Sequence, residues 1–349
     1  MRKFDYSFLE NENIPGNLVN ITGGIYTLQS AGNLRKEQFA TVFTKLESIA
    51  KVQSVKSSNA IEGIITSDQR IAEIVNRNSA PKNHDEAEIA GYRDALSAIH
   101  TGYEHLSFTE QTVLLLHRTM MQLSGDPLAG RYKNTNNVIL EILGDGTRNV
   151  RFRPISASET KFAMEQLELA YLDACNNSHV NPLLLIPCVI LDFLCIHPFR
   201  DGNGRMSRLL SLLLLYRNGF DVGKYISFEE QINSNKAYYY ESLRRSSEGW
   251  HTNENDYFPF IMNFLSTLYL CYQELDHRFA IVHGKRITKS ARIEATVLDH
   301  LTPISKSEIC AIHPDISPTT IEAVLGRMVK SGIIKKIGSS RNTKYIRNE

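Results

Sequence analysis

The stretch His197–Leu210, HPFRDGNGRMSRLL, gathers a histidine, an aspartate, three arginines and a Gly-Asn-Gly turn ahead of an apolar run. Each residue type brings its own chemistry. Gly202 and Gly204 open backbone angles closed to other residues, so successive N–H groups can converge on an anion. A helix starting at Asn203 adds its unpaired N–H groups and the positive end of its dipole. Arg205 and Arg208 are three apart and share a helix face, which aims two guanidinium groups at one region. Asp201 can carry the hard divalent cation that normally accompanies polyphosphate. His197 is the only group in the stretch suited to take a proton near neutral pH. Together these residues describe a site for a nucleotide polyphosphate, with a base near the attacked phosphorus. No G-K-[ST] ending follows the glycines, so the stretch is not a Walker loop.

The elements around it read mostly as helix. Between Leu34 and Ala60 the apolar residues Phe39, Val42, Phe43, Leu46, Ile49 and Ala50 recur at helical spacing. Further helices are expected over Asp85–Tyr103, Thr109–Leu123, Ser158–Asn176, Asn181–Ile196, Asn203–Asn218, Ser234–Ser246 and Asn255–His277. One segment breaks the pattern. NVILEILGDGTRNVRFRP has a β-prone run, a Gly-Asp-Gly turn and a second run ending at Pro154, which predicts a protruding β-hairpin over 137–153. Past His277 the sequence reads as three short helices, the last capped by Ser317 with Pro318 behind it and stopped at Gly332. A strand, a polar turn and a second strand follow, so this end looks like a winged helix-turn-helix domain, with the boundary at about 278–290.

Composition limits the rest. The chain of 349 residues has room for two domains. Its net charge of +1 hides an uneven distribution, since Lys285–Glu349 holds 12 Lys and Arg against 6 Asp and Glu. The five cysteines lack C-x-x-C spacing, and several sit in apolar runs, as expected of reduced thiols. No N-terminal signal is visible, and the most apolar segment, Leu183–Ile196, is too short for a bilayer. A cytoplasmic protein without a membrane partner is the expectation.

HPFRDGNGRMSR resembles the signature of the Fic family, H-x-F-x-[DE]-G-N-G-R-x-x-R, at every fixed position. The helical pattern from Leu34 to His277 is similar to a Fic domain with its flanking helices. The resemblance implies a mainly α fold: a helical bundle with a β-hairpin flap, plus the small C-terminal winged helix. It divides the chain into an N-terminal helical region (1–110), a catalytic core (111–277) and the winged helix (278–349). The activity it implies is protein adenylylation, in which AMP passes from ATP to a Ser, Thr or Tyr hydroxyl of a target protein and pyrophosphate is released.

Carried over position by position, His197 would deprotonate the hydroxyl and Asp201 would hold Mg²⁺. Gly202, Asn203 and Gly204 would form the anion hole, with Asn203 on the α-phosphate. Arg205 would steady the phosphates, Arg208 would grip the γ-phosphate, and Phe199 would anchor the loop in the core. The hairpin would dock the target segment by strand-like pairing. Asn235, Tyr238 and Tyr239 would wall the adenosine pocket, and EIAGYRDAL (Glu88–Leu96) is assigned to packing only.

Ser58, Glu62 and Gly63 in SSNAIEG fit [ST]-x-x-x-E-[GN], which resembles the inhibitory motif of many Fic proteins. Glu62 would occupy Arg208, because a fork that binds carboxylate also binds phosphate. Three functions compete: an autoinhibited AMP transferase; an enzyme removing AMP or transferring another phosphate-containing group; and a DNA-binding regulator whose Fic domain senses nucleotide. The basic C-terminal domain fits a DNA or a protein partner, and a homodimer is left open.

Overall fold

The computed structural model describes residues 2–11, 13–142, 147–177, 179–283, 289–298, 303–313, 316–338 and 343–348. The chain is mainly helical and divides into two compact units. The first comprises Met1–Thr66 with Glu73–Leu275, and the second Ser67–Ala72 with Asp276–Glu349. Residues 1–66 fall in the same unit as the core, while the start of the helix over Asp68–Arg77 falls in the second.

In chain order the helices are α1 (Phe8–Asn11), α2 (Gly16–Gln38), α3 (Ala40–Ile61), α4 (Asp68–Arg77), α5 (His84–Gly102) and α6 (Glu110–Met121). After a hairpin of β1 (Ile139–Ile142) and β2 (Arg148–Phe152) come α7 (Thr160–Asn176), α8 (Pro182–Ile196) and α9 (Asn203–Arg217). Then follow α10 (Phe228–Ser234), α11 (Lys236–Ser247) and α12 (Phe258–His283). The expected helix over Ser234–Ser246 is broken at Asn235, which ends α10 and precedes α11.

The sequence dictates which helices lie at the centre. In α8, PLLLIPCVILDFLCI is apolar on all sides apart from Asp192, whose carboxylate is buried against Arg2, Tyr6, Trp250 and Tyr257, and 13 of its residues are buried. A helix apolar all round has no face to give to water and must sit in a core. Asn181 caps it by accepting from the Leu183 N–H, and Pro182 takes the first-turn position where no N–H is needed. Its partner α9 is buried from Asn203 to Tyr216 apart from Gly204. α8, the short loop and α9 therefore form the spine on which other helices pack.

In the hairpin, Leu140 pairs with Val150 and Glu141 with Asn149, antiparallel. Its expected Gly-Asp-Gly turn lies outside the described residues. Phe152 stacks on His251 at 5.3 Å, and the His251 ring nitrogen meets the Arg153 carbonyl at 2.8 Å, which fixes the hairpin's base.

The second unit contains α13 (Lys289–Leu298), β3 (Ile304–Ser305), α14 (Lys306–Ile312), α15 (Pro318–Lys330), β4 (Ile334–Ile337) and β5 (Lys344–Arg347). The sheet order is β3-β5-β4, antiparallel, so a two-residue strand joins the expected pair. Ser317 caps α15 as its sequence predicts. The unit has its own core, with Ile293, Val297, Ile309, Ile321, Leu325 and Ile334 each at most 1% exposed. The turn between β4 and β5 falls partly outside the described residues, as does the expected boundary region.

All five cysteines are free thiols; Cys188, Cys195 and Cys271 are buried, while Cys175 is exposed. Among the described residues no helix is long and apolar enough to cross a membrane.

Candidate active site

The site begins where α8 stops. His197 follows Ile196 with φ +51°, a left-handed conformation that costs a non-glycine residue about 1–2 kcal/mol. Its N–H still bonds the Phe193 carbonyl, at 2.9 Å. Its Nδ1 lies 3.3 Å from the Leu194 carbonyl, which can only accept, so the proton sits on Nδ1. The Nε2 lone pair is therefore the one free to take a proton. Burial, then the charge of Lys133, push the imidazole down to about 4. His197 is thus a neutral base at physiological pH.

Two neighbours fix the middle of the loop. Phe199 is fully buried, as expected of an anchor, with its ring stacked 3.7 Å from the His117 ring, nearly parallel. The His117 Nδ1 accepts from the Gly130 N–H, which leaves Nε2–H to donate to the Asp201 carbonyl at 3.2 Å. Burial holds His117 at about 4, so it serves as a neutral strut. Asn203 is bound into the loop that carries it. Its amide accepts from the Phe199 N–H at 2.9 Å and donates to the Phe199 carbonyl at 2.8 Å. Both ends of the side chain are thus engaged in the loop.

The two arginines of α9 part company. Arg208 is 1% exposed and lies on a cleft of about 610 Å³ together with His197, Gly204 and Glu62. It donates to the Ser58 hydroxyl at 2.8 Å, the Ser58 carbonyl at 2.9 Å and the Glu62 carboxylate at 2.7 Å. Arg205 does not line that cleft. It is equally buried, but pairs with Glu88 of α5 at 2.5 Å and lies 3.5 Å from Asp201. The shared face expected of the pair therefore splits between two tasks, and Glu88, assigned to packing, is a charge partner.

Glu62 arrives by a defined helix ending. The Ile64 N–H bonds the Asn59 carbonyl at 3.0 Å and the Gly63 N–H bonds the Ala60 carbonyl at 3.1 Å. This is the Schellman pattern, which requires a left-handed residue at Gly63, φ +82°. It leaves Glu62 at the C-cap of α3, aimed at the start of α9. A Cβ on Gly204 would collide with the Glu62 Oε1. The carboxylate thus lies directly against the Gly204 backbone, at the start of α9. Lys236 of α11 donates to the Ile61 carbonyl at 2.6 Å and steadies the same helix end.

On the opposite wall, Tyr239 and Tyr240 of α11 line the cleft, as do Leu140 and Phe152 of the hairpin. Arg151 of β2 reaches the Tyr240 carbonyl at 3.4 Å and ties hairpin to helix. Of the expected adenosine wall only Tyr239 is present. Tyr238 is 52% exposed and faces a separate pocket beside Pro15 and Phe258, and Asn235 points back at the Gln231 carbonyl. Three successive tyrosines on a helix point about 100° apart, so the phase had to come from packing.

Asp201 suits a cation only in part. Its side chain is 62% exposed and accepts from the Gly202 N–H at 2.6 Å. Among the described residues no three His, Cys, Asp or Glu gather into a metal cluster. Mg²⁺ dehydrates reluctantly and is usually held by one or two carboxylates plus substrate phosphates, so one exposed carboxylate beside a phosphate cradle fits that mode.

Residues 107–215 match the Fic/DOC family, so this part of the chain is a Fic/DOC domain. The chain is 30% identical over 120 residues to protein adenylyltransferase fic-1 of Caenorhabditis elegans, covering 34% of this chain and 21% of that protein. It is 25% identical over 205 residues to protein adenylyltransferase Fic of Nematostella vectensis, covering 57% and 44%. The chain therefore spans less than half the length of these relatives. A Fic family protein from Desulfovibrio desulfuricans has the same fold, with TM-score 0.63 and 19% identity over 96% of this chain and 97% of that one.

Proposed function

We propose that the protein is an autoinhibited protein adenylyltransferase, moving AMP from ATP to a Ser, Thr or Tyr hydroxyl of a target protein. The observation that carries the reading is the cleft shared by the free His197 Nε2, the Gly204 backbone and Arg208, with Glu62 seated among them. The two adenylyltransferase-named relatives support the same chemistry.

In this reading Arg208 binds the γ-phosphate and the N-terminus of α9 receives the remaining phosphate charge. The hydroxyl of a segment laid along the hairpin reaches the α-phosphorus beside His197. His197 Nε2 takes the hydroxyl proton as oxygen bonds to phosphorus, and the bond to pyrophosphate breaks with its electron pair leaving on pyrophosphate. Asp201 would hold Mg²⁺, which supplies charge neutralisation for the phosphates. Arg205, locked to Glu88, positions Asp201 and the start of α9. Glu62 opposes all this by holding the guanidinium that the γ-phosphate needs.

For the second unit we propose a winged-helix docking role. Lys335, Lys336, Lys344 and Arg347 are exposed on its β4–β5 ribbon, which fits duplex DNA or an acidic protein. Affinity for duplex that falls steeply with salt would favour DNA.

The test is to incubate the full chain and its Glu62→Gly variant with α-labelled ATP, Mg²⁺ and a cell lysate. Labelled protein, stronger with the variant and lost in excess EDTA, is the expected result. No label from either chain at any metal concentration would overturn the reading.

A further inference from the structure

The carbonyls of Ile196, His197, Pro198 and Phe199 lie in a row at the end of α8. A single short segment meets all four. Lys133 Nζ donates to Ile196 at 3.1 Å and to His197 at 2.9 Å. The Lys133 backbone N–H donates to Pro198 at 2.9 Å, and the Asn137 amide donates to Phe199 at 3.1 Å. Lys133 gives its third donor to the Asn137 Oδ1 at 2.9 Å, which joins the two residues.

Lys133 is 3% exposed, and among the described residues no ion pair to it is seen. Three donated bonds use all three protons of an ammonium, and a neutral amine has only two to give. A buried cation without a carboxylate is unusual, but the C-terminal end of a helix offers partial negative charge and unpaired carbonyls. The charge therefore serves the end of α8, where the left-handed His197 needs its carbonyl held in place.

We propose that Lys133 is a positioning residue for His197, clamping the backbone that carries the base and keeping positive charge off the imidazole. The proposal rests on reading His197 as the base. Asn137 lies two residues before β1, so the same segment also fixes the root of the hairpin against the loop. Base and target-docking strand are thereby referenced to one lysine.

The pH consequence has two signs. The charged groups around His197 are Lys133, Glu62 and Asp201, with Arg208 held by Glu62 across the cleft. Glu141, Arg151, Glu241 and Arg244 line the farther walls. Lys133 disfavours a second cation, so catalysis should persist on the acid side until His197 protonates near 4. Burial brings Lys133 down to about 8, so above that pH the ammonium loses a proton and one of its three bonds. Transfer should therefore fall on the alkaline side.

The experiment follows the His197 imidazole by NMR titration in the full chain, for wild type, Lys133→Met and Lys133→Arg. Self-labelling from α-labelled ATP is followed against pH in a Glu62→Gly background. Lys133→Met should move the His197 titration upward by about one unit, the size expected for loss of one nearby charge. Lys133→Arg keeps a cation that does not titrate near 8, so it should leave His197 low and abolish the alkaline fall. An unmoved His197 titration in Lys133→Met would overturn the proposal. If that variant fails to fold, an alkaline fall in Lys133→Arg identical to wild type does the same. The titrations need no turnover, so a chain that labels nothing would sink the proposed activity and still leave the role of Lys133 decided.

Discussion

The His197 end and the Arg208 end of the loop open on one cleft, yet they are held by opposite means. His197 is fixed through its backbone, with successive carbonyls met by Lys133 and Asn137 and the ring of Phe199 sealed under His117. No ligand can compete for those bonds. Arg208 is fixed through its side chain, by Ser58 and by Glu62, whose carboxylate is 32% exposed. A phosphate offers the same geometry as that carboxylate and can replace it. On the proposed function the difference separates machinery from control: parts that must stay put are tied by buried backbone bonds, and the exchangeable part is a charge pair at a helix end.

The strongest way to break this comparison is at the base. His197→Ala should retain ATP binding, since no phosphate-binding group is lost, while transfer falls by about 10²–10⁴-fold, as for loss of a general base. Single-turnover labelling with matched ATP affinity by calorimetry measures both. Near wild-type labelling would show that the fixed end is not the catalytic one.

Glu88→Ala probes the fixed end by stability rather than rate. Arg205 is 1% exposed, and removing Glu88 would leave its buried charge only the more distant and more exposed Asp201, at a cost of up to about 3–5 kcal/mol. Denaturant unfolding of the full chain should show that loss. A change under about 1 kcal/mol would mean the pair contributes little, as many exposed pairs do.

At the exchangeable end, Glu62→Gly should raise self-labelling by about 10–100-fold, the worth of a charged hydrogen bond of about 1.5–3 kcal/mol. Arg208→Ala should not mimic the gain, because it removes the phosphate grip together with the glutamate's partner. The double variant should match Arg208→Ala. Residues sharing one interaction are non-additive in this way. Additive effects in the double variant would place Glu62 and Arg208 on separate tasks.

How much of this was legible depends on sequence distance. The loop was readable in part because its parts are contiguous: His197, Gly204 and Arg208 do line one cleft, while Arg205 turns away to Glu88, a partner the sequence could not name. The end of α3 was readable for the same reason, since Ser58, Glu62 and Gly63 fall on one helix terminus. Glu88, His117 and Lys133 were missed because each lies far from the loop in sequence and looks like an ordinary helix or loop residue. Only packing brings them to it. α2 went unread because GNLVNITGGIYTLQSAGNLRKEQ has scattered apolar residues and four glycines, so helical periodicity is weak. Tyr238 and Tyr239 could not be told apart, because the rotation of α11 is decided by its neighbours.

The smallest expected effect is at Gly63, and it tests how finely the helix end sets the proposed brake. A Cβ there meets nothing within 4 Å, so Gly63→Ala introduces no clash. What it introduces is a Cβ on a left-handed backbone, φ +82°, at a cost of about 1–2 kcal/mol. The chain can relieve that cost by giving up the two bonds of the Schellman ending, from Ile64 to Asn59 and from Gly63 to Ala60. Glu62 would then leave Arg208 more often, and basal self-labelling should rise by about tenfold or less. Arg208, Ser58 and His197 are untouched, so ATP affinity once the glutamate has left should equal that of Glu62→Gly. Adding Gly63→Ala to Glu62→Gly should give no further gain, since the only residue it releases is already gone. A further gain in that double variant would show that the backbone ending restrains the cleft by itself, independently of the carboxylate it presents.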